Sequence, residues 1–283
     1  MGQPEQRAEG GVGPFTTRLT WDLSGGGSAV WESRLARRRG VLAVRPPGAA
    51  AGGHSRADAV AVTRLARLNV IAAVAFVIGG ALFAAGAAVA QFGSGDATEC
   101  ASIYFAGGLF FNTGGYVSLL QVINAPRHAV GVGGEGRLVT LPWRWWSYEP
   151  MRVDWLGVFV LFAGTLVFAV ALLDSFLQGL SVQRVNRLIW APDVVGCVLF
   201  LVSGQLALAE VCHGRPRVRP RDLGWWIVAV NQLGSVLFML SALAAFTRPA
   251  TGSLVNADLA NWGTLAGALC FSLGGLLQLF EHP

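Results

Sequence analysis

Apolar residues in this chain gather into six long stretches, about 68–92, 101–124, 154–176, 189–209, 224–246 and 259–280. Each holds roughly 20 or more mainly apolar residues, enough at 1.5 Å per helical residue to cover ~30 Å of hydrocarbon. Inside the stretches, glycine and phenylalanine recur at helical spacing. The second, fourth and sixth carry a Phe between two glycines: Gly107/Phe111/Gly115, Gly196/Phe200/Gly204 and Gly267/Phe271/Gly275. The first, third and fifth carry a Gly four residues before a Phe and a small residue three after it: Gly79/Phe83/Gly86, Gly164/Phe168/Ala171 and Gly234/Phe238/Ser241. The pattern predicts one helical hairpin written three times, over about 68–124, 154–209 and 224–281.

The repeat extends past this core. Arg67 and Arg152 each stand 16 residues before their hairpin's first Phe, and Arg221 stands 17 before. Ten residues after each second Phe come Gln121, Glu210 and Glu281. All copies run in the same sense, so the expected fold is an all-α polytopic bundle of six transmembrane helices in three parallel hairpins. Lipid tails are as apolar as leucine, so helices in a bilayer associate by close packing and interhelical hydrogen bonds. Glycine notches and phenylalanine pegs at i, i+4 and i+8 supply that packing along one ridge.

Composition supports a membrane setting. Charged residues are 13% of the chain, against about 25% in soluble domains, and too little polar sequence remains to coat six buried helices. All 21 basic residues are Arg. Eighteen of them fall in 1–67, 125–153 and 210–223, and three in the alternate loops. By the positive-inside rule this places both termini in the cytoplasm, which implies the inner membrane. Trp143, Trp145, Trp146, Trp155, Trp225 and Trp226 then mark the inner interface, and Trp190 and Trp262 the outer one. The net charge of +5 is thereby a topological signal rather than a nucleic-acid footprint.

Residues 1–57 are rich in Gly, Arg, Ala and Pro, with little periodicity. They read as a disordered cytoplasmic tail in which the run Arg37-Arg38-Arg39 and Pro46-Pro47 are solvated. No apolar run follows a basic start, so no cleavable signal is expected. The remaining 58–281 form the membrane domain. Cys100 has no partner on its own side, and no disulfide is expected.

The segment from Trp225-Trp226 through Asn231-Gln-Leu-Gly-Ser-Val-Leu-Phe238, Ser241-Ala242, Asn261-Trp-Gly-Thr264 and Gly267-Ala-Leu-Cys-Phe271 to Glu281 resembles the YrhK-like family of bacterial integral membrane domains. The earlier hairpins resemble it as degenerate copies. The first lacks the leading Trp and has Gln121 where the others have Glu. The resemblance implies a small helical membrane module without an assigned reaction.

No catalytic set or cofactor motif is recognised. Gly131-Val-Gly-Gly-Glu-Gly136 is not a dinucleotide fingerprint, and neither follows a strand nor opens a βαβ unit. Glu210, Cys212, His213 and Glu281, with His282, are chemically suitable metal ligands, but their spacing matches no metal motif. His128 is the first repeat's counterpart. Asp174, Asp193, Arg184 and Arg187 suit an ion-paired outer loop. Asn112, Gln205 and Asn231 are the polar groups placed to line a pathway between hairpins. The expected function is therefore a non-enzymatic membrane structural, sensing or assembly module, in contact with lipid and with a second copy or another membrane protein. The alternative is a small transporter or channel with a groove between the repeats.

Overall fold

The computed structural model describes residues 6–12, 15–22, 27–45, 48, 53–93, 96–126, 128–132, 135–139, 142–214 and 217–281. Strands β1 (Gln6–Val12), β2 (Phe15–Asp22) and β3 (Ser28–Glu32) are followed by helix α1 (Ser33–Arg39) and strands β4 (Val41–Arg45) and β5 (Gly53–Arg56). Then come the long helices α2 (Ala59–Phe92) and α3 (Ala97–Ile123), and a hairpin of β6 (His128–Val132) and β7 (Glu135–Val139). Helix α4 (Val153–Asp174) precedes α5 (Val182–Val185), whose path continues through a π-helical turn (Asn186–Trp190) into α6 (Ala191–Val211). Helices α7 (Leu223–Ala244) and α8 (Ala257–Leu279) complete the order.

Five helical segments are long and apolar enough to cross a membrane: α2, α4, the run Val182–Val211, α7 and α8. The sequence reading counted six. Helix α3 is the one left out, its apolar run being interrupted by Asn112, Thr113 and Gln121 and diluted by glycine. The outward faces carry exposed Val70, Ile78, Val170, Val202, Leu240 and Leu273, an apolar exterior that fits a multi-pass membrane protein. Each long helix packs on two others, in the order α2, α3, α4, α6, α7, α8 and back to α2.

The all-α expectation is corrected by an antiparallel sheet of order β1-β2-β3-β4-β5. It occupies the segment expected to be a disordered tail. Thr17 and Trp21 on β2, and Ala29 and Trp31 on β3, point inward at the period-2 spacing of half-buried strands. Trp21, Ala29 and Trp31 pack with Ala36, Leu42, Ala57 and Ala61. At 34 residues, roughly 50 Å of helix, α2 outreaches a bilayer, and its first turns supply part of this core. The sheet is therefore a cap on one end of the helices. The indole of Trp31 donates to the Pro126 carbonyl at 3.1 Å, and Thr16 bridges to Arg152 at the start of α4.

Gly40 ends α1 in the left-handed conformation (φ 60°), its N–H donating to the Ala36 carbonyl. A Cβ there would also meet Val62 at 3.1 Å. Gly40→Ala is expected to lose ~1–2 kcal/mol of cap stability. Faster proteolytic cleavage within 1–57, with the helical far-UV signal unchanged, would show it.

Two further readings change. Trp155 is not presented to lipid: it is buried, stacked on Phe159 at 4.8 Å, and donates to the Ser147 carbonyl. Asp174, Asp193, Arg184 and Arg187 form no ion pair with one another among the described residues. The loops at that end of the helices are tied instead by Asn186, which exchanges hydrogen bonds with the Thr247 backbone. All four cysteines are free.

Candidate functional site

Helix α1 lies across the end of the helices. Its spacing Arg34, Arg37, Arg38 is i, i+3, i+4, which sets three guanidinium groups on one face. Arg39, at the next angle, is exposed. Each of the three meets one of the residues found ten positions after the second Phe. Arg34 binds Glu281 through two parallel hydrogen bonds, 2.9 and 3.0 Å. Arg37 pairs with Glu210, whose second oxygen accepts from the Ser33 hydroxyl at 2.8 Å. Arg38 donates to the side-chain oxygens of Asn69 and Gln121, the latter at 3.1 Å. Asn69 and Gln278 exchange hydrogen bonds between α2 and α8, and Gln121 donates to the Leu65 carbonyl.

The pairs are dry. The side chains of Arg37 and Glu210 are 5% and 2% exposed. Burial alone would raise the Glu281 carboxyl, but Arg34 and Arg38 hold it below its ordinary value. Burial pushes the Arg38 guanidinium down to about 9, against the pull of Glu281 and with the help of Arg37 and Arg34. A carboxyl with a depressed folded pKa stabilises the fold above the unfolded value, ~4.3, and loses that contribution as pH falls through the folded value. Thermal stability in detergent is thus expected to fall on acidification below about pH 4.5, and Glu281→Gln to flatten that slope. An unchanged slope would mean that Glu281 is not the titrating group.

Above the arginines runs a cavity of about 120 Å³ along the centre of the helices. Its polar lining includes Ser118, Asp154, Ser203, Asn231, Ser235 and Gln278. Its far wall is formed by the signature phenylalanines. Phe111, Phe200 and Phe271 touch in one layer, with centroids 5.5 Å (Phe111–Phe271) and 6.2 Å (Phe200–Phe271) apart. Phe83, Phe168 and Phe238 form a closed triangle beyond it, at 5.5, 6.1 and 6.4 Å. A second cavity, about 220 Å³, begins on the other side of that triangle and is lined by Tyr104, Asp193, Cys197, Asn261 and Thr264.

The signature glycines face these rings. A Cβ on Gly79 would strike Phe111 and one on Gly107 would press on Phe83. Gly164 faces Phe200, Gly196 faces Phe168, Gly234 faces Phe271 and Gly267 faces Phe238. The last glycine of each triplet looks to the next helix pair: Gly115 to Phe162 of α4, Gly204 to Gln232 of α7, and Gly275 to Ala73 and Val77 of α2.

Among the expected pathway residues, Asn231 lines the central cavity. Gln205 is exposed on the outer face of α6, and Asn112 donates back to the Gly108 carbonyl of its own helix. Among the described residues no three His, Cys, Asp or Glu side chains gather as a metal site. Glu210 and Glu281 belong to arginines, Cys212 donates to the Arg217 carbonyl, and His213 hydrogen-bonds Thr17. His282, and the side chain of His128, lie outside the described residues. Sequence reasoning missed Ser33, Arg34, Arg37, Arg38, Asn69 and Gln278 as one network. The signal that finds it is the i, i+3, i+4 arginine face set against three equivalent end positions.

No protein-family model, curated protein or solved structure matches the chain.

Proposed function

We propose that the chain is an integral inner-membrane module of six spans in three like-oriented hairpins, with its cap and both termini in the cytoplasm. It acts without catalysing a reaction, as a structural, sensing or assembly element. The observation that carries this reading is the docking of one short helix on all three helix pairs at once: Arg38 on Gln121, Arg37 on Glu210 and Arg34 on Glu281. A cap so placed senses the relative positions of the pairs, because a shift in any one breaks a buried polar contact. Helix α3 spans with its neighbours in this reading, its polar groups turned to its own backbone. The segment 224–281 is read as resembling the YrhK-like domains.

Thiol labelling tests the topology. A membrane-impermeant maleimide applied to spheroplasts should modify Cys100, before the apolar part of α3, and should modify an Arg39→Cys variant on a Cys100→Ser background after permeabilisation alone. Labelling of both from the same side would overturn the orientation.

A small transporter or channel is the second reading. The two cavities abutting opposite sides of the phenylalanine layers favour it. Proteoliposomes containing the protein should then pass a small ion or solute, and Phe111→Ala with Phe271→Ala should raise that flux. Liposomes no leakier than protein-free controls, for wild type and variant alike, would remove this reading.

A further inference from the structure

We propose that the central cavity binds a small monocarboxylate with a short apolar body, its carboxylate at Arg38 and Arg37 and its chain toward the phenylalanine layer. The inference rests on the docked cap described above and names the ligand class that such a cap would sense.

Charge pairing around the cavity leaves a gap. Arg34 has Glu281, Arg37 has Glu210, and Asp154 is gripped by Arg152, which also meets Glu149. Arg38 makes its hydrogen bonds to two neutral amides, and the nearest carboxylate oxygen, 3.5 Å away on Glu281, is already engaged by Arg34. The gap has a position in the repeat, since Gln121 stands where the other two copies place Glu210 and Glu281. Arg38 is thus the third cation of the layer and shares its counterion, Glu281, with Arg34, and its side chain is 8% exposed. A buried cation that divides one carboxylate with a second guanidinium is only partly compensated, and an incoming carboxylate completes that compensation.

Unused polar groups line the same space. The Nε atoms of Arg37 and Arg38 are buried and make no hydrogen bond among the described residues, that of Arg38 lying 3.5 Å from the Glu281 carboxylate. Both arginines line the cavity. The Asn231 carboxamide also lines it and makes no side-chain hydrogen bond among the described residues, lying instead over Gly274, where a Cβ would come within 2.1 Å of its oxygen. The apolar wall includes Phe76, Phe111, Leu161, Phe200 and Phe271, and the two carboxylates that border the space, Asp154 and Glu210, are each already held by an arginine. A guanidinium edge, one amide and an aromatic ceiling match an acid with a single charge at one end. A dicarboxylate would press its second charge on the phenylalanines. At about 120 Å³ the space is smaller than a ~150 Å³ cavity that admits benzene, which limits the ligand to about three to five carbons.

Calorimetry on the purified full chain in chloride-free buffer, with sodium butyrate as the probe, tests this. Saturable binding is expected, strengthening roughly fourfold per methylene from acetate to butyrate and lost for n-butanol and succinate. Gln121→Glu supplies Arg38 with an internal carboxylate and should weaken butyrate at least tenfold while leaving the cap protected from protease. Asn231→Leu, which fills the cavity and leaves the arginine layer intact, should do the same should the first variant not fold. Butyrate binding equal to wild type in a folded variant, or no saturable binding to a wild-type chain whose cap resists protease, would overturn the site alone. Rapid cleavage of the wild-type cap would overturn the docked cap first and the site with it.

Discussion

Glu210→Ala is expected to release the cap from the membrane helices. The substitution leaves Arg37, 5% exposed, facing an empty space, and also removes the acceptor of the Ser33 hydroxyl. Removing one partner of a buried ion pair costs ~3–5 kcal/mol, since the remaining charge must be solvated or moved out. The cheapest escape is for α1 to swing away, which sacrifices the arginine layer and the Trp31–Pro126 contact but leaves the helix packing intact. Limited proteolysis should cut within 1–57 far faster than in wild type. Ser33→Ala, which removes one neutral donor, should cost about 1 kcal/mol. Arg37→Ala combined with Glu210→Ala should recover much of the protection. A double variant as sensitive as the single one would show that the stranded charge is not the cause.

The second large effect is expected at Gly267. A Cβ at this position would lie 2.5 Å from the Phe238 ring and 3.0 Å from the Gly234 carbonyl, and the reciprocal Cβ on Gly234 would lie 3.0 Å from the Gly267 carbonyl. Two backbones meet there, so rotamer changes cannot make room. Overpacking a fitted core costs ~1–3 kcal/mol, and Gly267→Val should reach the upper end because it also displaces Phe238 from its triangle. Gly115→Ala is the control, with nearest atoms at 3.3–3.4 Å, and should fall well below it. Thermal unfolding in detergent separates the two; equal losses would mean that close approach of α7 and α8 is not what Gly267 permits.

The Gly/Phe geometry is legible in the sequence because helix contact in lipid depends on residue size at fixed spacing, and spacing is what a sequence records directly. Reading Gly79 against Phe111 requires only that two neighbouring helices run antiparallel. The cap is another matter. Trp21, Ala29 and Trp31 mark two short strands, but these run for only 8 and 5 residues, and part of the core they join comes from Ala57 and Ala61. Charge misled as well. A run such as Arg37-Arg38-Arg39 usually solvates, and here two members are buried because acceptors 31 to 173 residues away meet them. Gln121, Glu210 and Glu281 stand out by their equal offsets, yet nothing local to them names arginine as the partner. Trp155 reads as an interfacial anchor by position and is buried because the 142–150 loop folds over it.

The docking of α1 has a consequence for the order of synthesis. The segment that carries Arg34, Arg37 and Arg38 is translated before the long helices, whereas its seat is finished only once Glu281 has been made. In between, the nascent chain holds three arginines and two tryptophans waiting for a surface that does not yet exist. Closure of the cap therefore registers that all the helices have inserted and met, and a ribosome-bound chain stalled before α8 should remain open to protease at its beginning.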